Sequence, residues 1–262
     1  MSWKDYKLSI SLRTTTIPLL FDLSPVDALV STAVRGLTKA HRTEYLVTAA
    51  QDIINDFLIY SPYSHCRDVW FSIGDITLPS FLPIGVIFDS FTFPFTVLIH
   101  YSNRPSNILQ QTPASIMRMF NNTFKEAAFI TDQKELLNNN KNNKLEEIFQ
   151  FSLQGVDLFP IISLIGNGSK DKVHILQQIP LRIITSEFEI DRVIYGIVNS
   201  NILVHDAVKE VLSDIISVRL EIKLIIKSHG IIINENYNMT MLQAYGLLKN
   251  PDQVLYLSVS CN

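Results

Sequence analysis

The chain has 262 residues, 47% of them hydrophobic and only 18% charged, and its formal net charge is −3. This composition excludes a disordered polymer and supplies enough apolar material for packed cores. The slight negative charge excludes a global basic field for nucleic acid or anionic lipid. Cys66 and Cys261, the two cysteines, make neither a disulfide framework nor a CxxC zinc site, and are expected to be free thiols in a reducing compartment.

Residues 5–13 alternate apolar Tyr6, Leu8, Ile10 and Leu12 with polar neighbours, which predicts a half-buried strand. Ser24, Pro25 and Asp27, followed by Leu29, Ala33, Val34 and a closing Gly36, predict a short helix. Residues 44–47 read as a short strand leading into a helix capped by Thr48, with Gln51 completing a capping box. Ile53, Ile54, Phe57 and Leu58 recur at helical spacing, and residues 69–73 and 95–101 read as strands. One amphipathic helix laid on a small sheet buries this set of faces.

The middle of the chain changes to helical periodicity. Thr112 and Pro113 open a helix whose apolar face is Ile116, Phe120, Phe124, Ala127 and Ile130. The run of residues 138–143, five asparagines and a lysine, is expected to be a loop. A second helix follows with Leu145, Ile148, Phe149, Ser152, Val156 and Phe159 on one face, ending or kinking at Pro160. Gly166-Asn167-Gly168-Ser169 marks a boundary.

The last third repeats the outline of the first. Residues 179–185 and 193–198 predict a hairpin, 203–216 a helix, 221–228 a strand, 239–248 a short helix and 254–259 a closing strand. That order is the order of a ubiquitin-like β-grasp module. The expected fold class is therefore α+β, with two such modules flanking a helix-rich middle. The expected division is 1–105, a ubiquitin-like domain with an extra helix, then 106–170, helix-rich, and 171–262, a second ubiquitin-like domain.

Constellations for catalysis or metal binding are scarce. Gly166-Asn167-Gly168-Ser169-Lys170 lacks the spacing of a phosphate loop. The six histidines form no HxxxH or HExxH pair, and His100, inside an apolar strand, reads as a satisfied structural histidine. Adjacent His65 and Cys66 are a poor nucleophile–base pair, because such partners normally meet through the fold. Glu146, Glu147, Glu187, Glu189 and Asp191 all lie in polar surroundings, as solvated faces do. No catalytic residue, cofactor or metal is expected. The residues after Met1 carry no apolar leader, and no window holds 18 consecutive apolar residues, so a soluble cytoplasmic chain is expected, with the sequons at Asn121, Asn167 and Asn238 unused. Lys125 follows Phe124 on the first middle helix, about 100° from the buried stripe. It shares a polar face with Arg118, Asn121, Asn122 and Asp132, the ordinary place for a lysine.

Val69-Trp70-Phe71, then residues 83–89 (PIGVIFD) and residues 96–101 (TVLIHY), resemble successive motifs of the autophagy protein 5 family. Ser72 stands where that family carries an acidic residue. The resemblance continues in order through Phe124-Lys125-Glu126-Ala127, Leu153-Gln154 with Asp157-Leu158-Phe159, and Ile179-Pro180-Leu181-Arg182-Ile183. It ends with Lys209-Glu210-Val211, His229-Gly230-Ile231 and residues 251–259 (PDQVLYLSV), so that it runs over nearly the whole chain.

What the resemblance implies is a non-catalytic autophagy scaffold of two ubiquitin-like domains around a helical one. It implies that the ubiquitin-like autophagy protein 12 is joined through an isopeptide bond to one lysine, which by motif match is Lys125. It also implies binding of the N-terminal helix of autophagy protein 16. The assembled complex would act as an E3-like factor on the conjugating enzyme of autophagy protein 8, promoting its transfer to phosphatidylethanolamine at the phagophore membrane, where the complex is peripheral. Two alternatives stand beside this reading. The same scaffold could hold autophagy protein 12 without a covalent bond, or the chain could be an unrelated α+β enzyme with a deep pocket of perturbed titratable groups.

Overall fold

The structure, a computed structural model, describes residues 14–63, 69–79, 81–91, 94–106, 108, 110–133, 142–155, 176–185, 193–213 and 224–261. The expected strand at 5–13, most of the asparagine run, Pro160, the boundary at 166–169, and His65, Cys66, Glu187, Glu189 and Asp191 lie outside these residues.

Strand β1 (Thr16–Leu23) pairs antiparallel with β2 (Arg35–His41). The helix expected between them is a single 3-10 turn, Pro25–Asp27. The Ser24 side chain makes no cap hydrogen bond, and its N–H donates to the Ile99 carbonyl at 2.9 Å, which ties the chain to the sheet. Asp27 is wholly buried and accepts from the Tyr101 N–H at 3.0 Å and from the Ser102 hydroxyl, so it anchors the loop rather than opening a helix.

Helices α1 (Leu46–Ala49) and α2 (Gln51–Phe57) follow directly. Residues 44–47 are thus the entry to a helix, not a strand. The capping box lies three residues upstream of the expected one: Tyr45 is the N-cap, and its N–H donates to Thr48 Oγ1 at 3.3 Å. Strands β3 (Trp70–Ile73) and β4 (Ile76–Thr77) form a small hairpin, α3 (Ile84–Ser90) crosses beneath, and β5 (Thr96–His100) closes the sheet in the order β2-β1-β5-β3-β4. β5 runs parallel to β1 and antiparallel to β3.

Helices α4 (Pro113–Ile130) and α5 (Asn142–Leu153) come next, the second beginning inside the asparagine run. The second module then repeats the first: β6 (Gln178–Thr185), β7 (Val193–Asn199), α6 (Val204–Leu212), β8 (Leu224–Ser228), β9 (Ile231–Ile233), α7 (Met241–Leu248) and β10 (Leu255–Cys261). Its sheet order is β7-β6-β10-β8-β9, with β6 and β10 parallel in the centre. The repetition extends to detail. An isolated antiparallel bridge joins Tyr45 to Pro83 in the first module and Leu203 to Thr240 in the second, each pairing a residue before one helix with a residue before the next. The fold class is α+β, with two β-grasp sheets and a helical region between them.

One apolar core lies under the first sheet and takes in the inward faces of α4 and α5, with Phe120, Phe124, Ile148 and Phe149 beside Ile54, Phe57 and Phe71. Each fully buried phenylalanine contributes about 1.5–3 kcal/mol. Val254, just before the last strand, and Tyr256 within it also belong to this core, with Ile184 and Val193 packed against it, while the second module packs a core of its own.

A capped helix, an exposed lysine and the cleft beside them

Helix α4 is fixed at its start by local chemistry. Thr112 Oγ1 accepts from the Ser115 N–H at 3.1 Å, Ser115 Oγ accepts from the Thr112 N–H at 2.9 Å, and Pro113 occupies the first turn. Ile116, Phe120, Thr123, Phe124, Ala127 and Ala128 are its buried stripe, as the periodicity predicts, while Ile130 is only half-buried. Lys125 is exposed, on a stripe with Arg118, Asn122 and Phe129. Among the described residues its ammonium has no hydrogen-bond or ion-pair partner. Asn121 departs from the expected polar face: it is half-buried, and its side-chain oxygen is sealed from solvent.

The neighbouring side chain faces the second module. Glu126 lies 3.7 Å from the Arg182 guanidinium. Arg182 is buried in β6 and donates to Thr123 Oγ1 at 3.1 Å and to the Tyr256 hydroxyl at 2.9 Å. Tyr256 in turn donates to Asp252 at 2.7 Å. Burial works against the charge on Arg182, but the oxygens of Tyr256 and Asp252 outweigh it and hold its pKa above the usual value. Burial dominates at Asp252, whose pKa is raised although Arg182 and the Tyr256 hydroxyl both oppose the rise.

Between α4 and the β6–β7 face runs a cleft of about 360 Å³. Ala127, Ile130, Pro180 and Ile197 give it apolar walls, with Arg182 and Tyr195 at its polar end. The Arg182 guanidinium lies 4.9 Å from the centre of the Tyr195 ring. Tyr195 and Ile197 of its lining remain exposed. Lys125 lies one helical turn before Phe129. Glu126, Ala127 and Ile130 of the same helix line the cleft, and Lys125 is exposed on the neighbouring stripe.

Three of the segments carrying the sequence motifs meet at the joint between the two modules. Arg42 Nη2 donates to Asp89 at 2.5 Å and to the Gly85 carbonyl at 3.0 Å. A Cβ at Gly85 would stand 2.9 Å from Arg42, so the motif glycine permits this approach. A Cβ on Gly230 would stand 3.6 Å from Arg42 Nη1, and Ser258 Oγ donates to the Asp89 carbonyl at 3.1 Å. His229 Nε2 lies 2.9 Å from the Leu248 carbonyl. Segments 83–89, 229–231 and 251–259 thus share one junction. Sequence reading passed over Arg42, Arg182 and Asp252 as functional positions. The available signal was Arg182, a lone charge in the apolar run Ile179–Ile184, but its partner Tyr256, opposite it on the adjacent strand β10, is 74 residues away in sequence.

His100 is held as expected of a structural histidine. Its ring stacks on Trp70 at 3.7 Å between centroids and 10° between planes, and Nε2 lies 2.9 Å from Ser72 Oγ. Asp27 stands on its other side, which brings Ser72, His100 and Asp27 into line. The spacing is wrong for proton relay: His100 Nδ1 is 3.8 Å from Asp27, whose oxygens already serve Tyr101 and Ser102. Burial lowers the His100 pKa, with Asp27 opposing, so the ring is neutral at physiological pH. Glu146 and Glu147 are exposed on α5. Among the described residues, no three histidine, cysteine, aspartate or glutamate side chains gather to hold a metal, and no helix is long and apolar enough to cross a membrane.

Comparison with known proteins gives two findings. Residues 13–101 match the family model for the UblA domain of autophagy protein ATG5. Among solved structures, the crystal structure of Kluyveromyces marxianus Atg5 matches with a TM-score of 0.73 at 19% identity, covering 97% of this chain and 99% of that one. At that identity the likeness concerns the fold. No curated protein matches.

Proposed function

We infer that this chain is a member of the autophagy protein 5 family, and from that premise we propose that it is the scaffold to which the ubiquitin-like autophagy protein 12 is joined at Lys125. The carrying observation is Lys125 itself: exposed, unpaired among the described residues, and held on a helix capped at one end and buried along its opposite face. A lysine amine in water is almost wholly protonated at neutral pH, so it needs a conjugating enzyme to orient it and remove its proton. The deprotonated nitrogen then attacks the thioester carbonyl of the modifier. An isopeptide C–N bond forms, the C–S bond breaks, and the enzyme's thiolate leaves. Access and position are what the chain must supply.

The reading extends to a non-catalytic subunit of an E3-like complex. It binds the N-terminal helix of autophagy protein 16 and promotes lipidation of autophagy protein 8 with phosphatidylethanolamine, peripherally at the phagophore membrane. The proposed division of labour follows residues 1–105, 106–170 and 171–262. A second reading is favoured by the apolar cleft between α4 and the β6–β7 face: the same scaffold holds the modifier there by surface contact, without a covalent bond.

One experiment separates them. The chain and Lys125→Arg are incubated with autophagy protein 12, its activating and conjugating enzymes and ATP, then run on a denaturing gel, with native co-purification in parallel. Arginine keeps the charge but forms no isopeptide under these conditions. A band shift lost in the variant identifies the acceptor. Co-purification without a shift leaves the non-covalent reading, and the absence of both shift and co-purification overturns both readings.

A further inference from the structure

Five apolar or aromatic side chains of the first module stand in water on two neighbouring segments. Val26 and Leu29, in the β1–β2 loop, are 73% and 65% exposed, and Ile59, just past α2, is 77% exposed. Tyr60 and Tyr63 follow on the same segment, also exposed. The two segments are not merely both at the surface. The Leu29 N–H donates to the Tyr60 carbonyl at 2.8 Å, which fixes the loop against the end of the helix. Contiguous exposed apolar side chains of this size mark an interaction site, and this one shares no residue with the cleft beside Lys125.

Charge decides what fits there. Asp52 and Asp56 are exposed on α2, one turn apart, and lead along the same stripe to Ile59. Residues 24–34 and 51–63 contain no lysine, arginine or histidine. Arg35, the cation next to the loop, is already engaged by Asp22 at 3.1 Å. An anionic lipid surface would meet these carboxylates with like charge, and a second copy of the same patch would do the same.

We propose that this surface docks an amphipathic helix of a partner protein, its apolar stripe on Val26, Leu29, Ile59 and Tyr60 and lysine or arginine residues bordering the stripe on Asp52 and Asp56. The tyrosines serve as amphipathic anchors, with ring faces for the stripe and hydroxyls left at the wet rim.

The test is a selection from a displayed library of random helical peptides on the full chain, with counter-selection on Leu29→Ser/Ile59→Ser. Both side chains are exposed, so this variant keeps the wild-type urea midpoint, which is checked first. The enriched peptides are expected to carry basic residues beside a helical apolar repeat. Their affinity, read by fluorescence anisotropy, is expected to fall at least about tenfold in Leu29→Ser/Ile59→Ser. In Asp52→Asn/Asp56→Asn it falls several-fold and loses most of its salt dependence. No patch-dependent enrichment, enrichment of neutral or acidic peptides, or equal affinity for the charge variant would overturn the proposal. Sedimentation with phosphatidylserine–phosphatidylcholine vesicles is the remaining arm, where binding abolished by Leu29→Ser/Ile59→Ser would overturn it in favour of a lipid surface.

Discussion

Arg42 and Asp89 meet at 2.5 Å with both side chains only 5% exposed, one from the turn after β2 and the other from the buried helix α3. Desolvation raises the Asp89 pKa despite Arg42 opposing it, so the carboxylate is costly to keep there and useful only while paired. Asp89→Ala is therefore expected to destabilise the chain by about 3–5 kcal/mol, because it strands a buried guanidinium. Replacing both partners, as Arg42→Met/Asp89→Leu, should cost less than the single change. Urea unfolding of the three proteins checks the order, and a milder loss in Asp89→Ala than in the double variant would refute it.

Arg182 holds a second joint. Arg182→Met leaves Asp252 buried beside Tyr256 with its cation gone, at an expected cost of about 3 kcal/mol at neutral pH. The loss sits at the low end because burial already favours the protonated Asp252 carboxyl. A raised folded pKa means that the folded state holds the proton the unfolded chain gives up, so the deficit of the variant should shrink as pH falls. Unfolding midpoints compared at acidic and neutral pH measure this. A deficit independent of pH would contradict it.

Glu44 gives the wild type its own pH dependence. Burial raises its pKa from 4.5 to about 7, with the His41 N–H at 3.2 Å opposing. A carboxyl whose folded pKa exceeds its unfolded one contributes stability that is full below pH 4.5 and lost as pH rises through about 7. Stability should fall across that window, and Glu44→Gln should flatten the slope. Denaturant melts at intervals of pH test it, and an unchanged slope in Glu44→Gln would assign the effect to another group.

Two glycines with positive φ should respond differently to alanine. Gly155, at φ +63°, ends α5 with the His41 ring against its Cα, whereas Gly74, at φ +55°, has nothing within 4 Å of the position a Cβ would take. Gly74→Ala is expected to cost about 1–2 kcal/mol for the left-handed backbone alone. Gly155→Ala pays the same and also displaces His41, so it should melt at the lower temperature of the two.

Several elements were legible because their faces differ. α4 and α5 carry one apolar stripe each, and β3, β5, β6, β8 and β10 carry enough β-branched or aromatic residues to declare themselves. β2 did not, because its alternation is inverted. Leu37 faces water, while the inward positions are Gly36, Thr38 and Ala40. Those must be small because α2 packs close, and a Cβ on Gly36 would stand 2.7 Å from Ile53. α3 was hidden for the opposite reason. Ile84, Gly85, Val86, Ile87 and Asp89 are all buried, so the helix has no wet face to give a period. Near the candidate site, the exposure of Lys125 followed from helical geometry, whereas the ladder from Arg182 through Tyr256 to Asp252 joins residues that only the finished fold brings together.

The parallel pairs at the centre of both sheets govern how this chain can be made. Leu20 pairs with Thr96 and Leu181 with Leu255, so in each module the first strand waits for the last, more than seventy residues later in synthesis. Neither sheet can close on a growing chain until its final strand has emerged, and closing so long a loop is entropically slow. The first module waits longer still for its full core, since Val254 lies just before β10 and Tyr256 within it. A nascent chain halted just before β10 would hold one sheet with an incomplete core and another with its middle missing, a state that chaperones and proteases would recognise before any folded-state partner could.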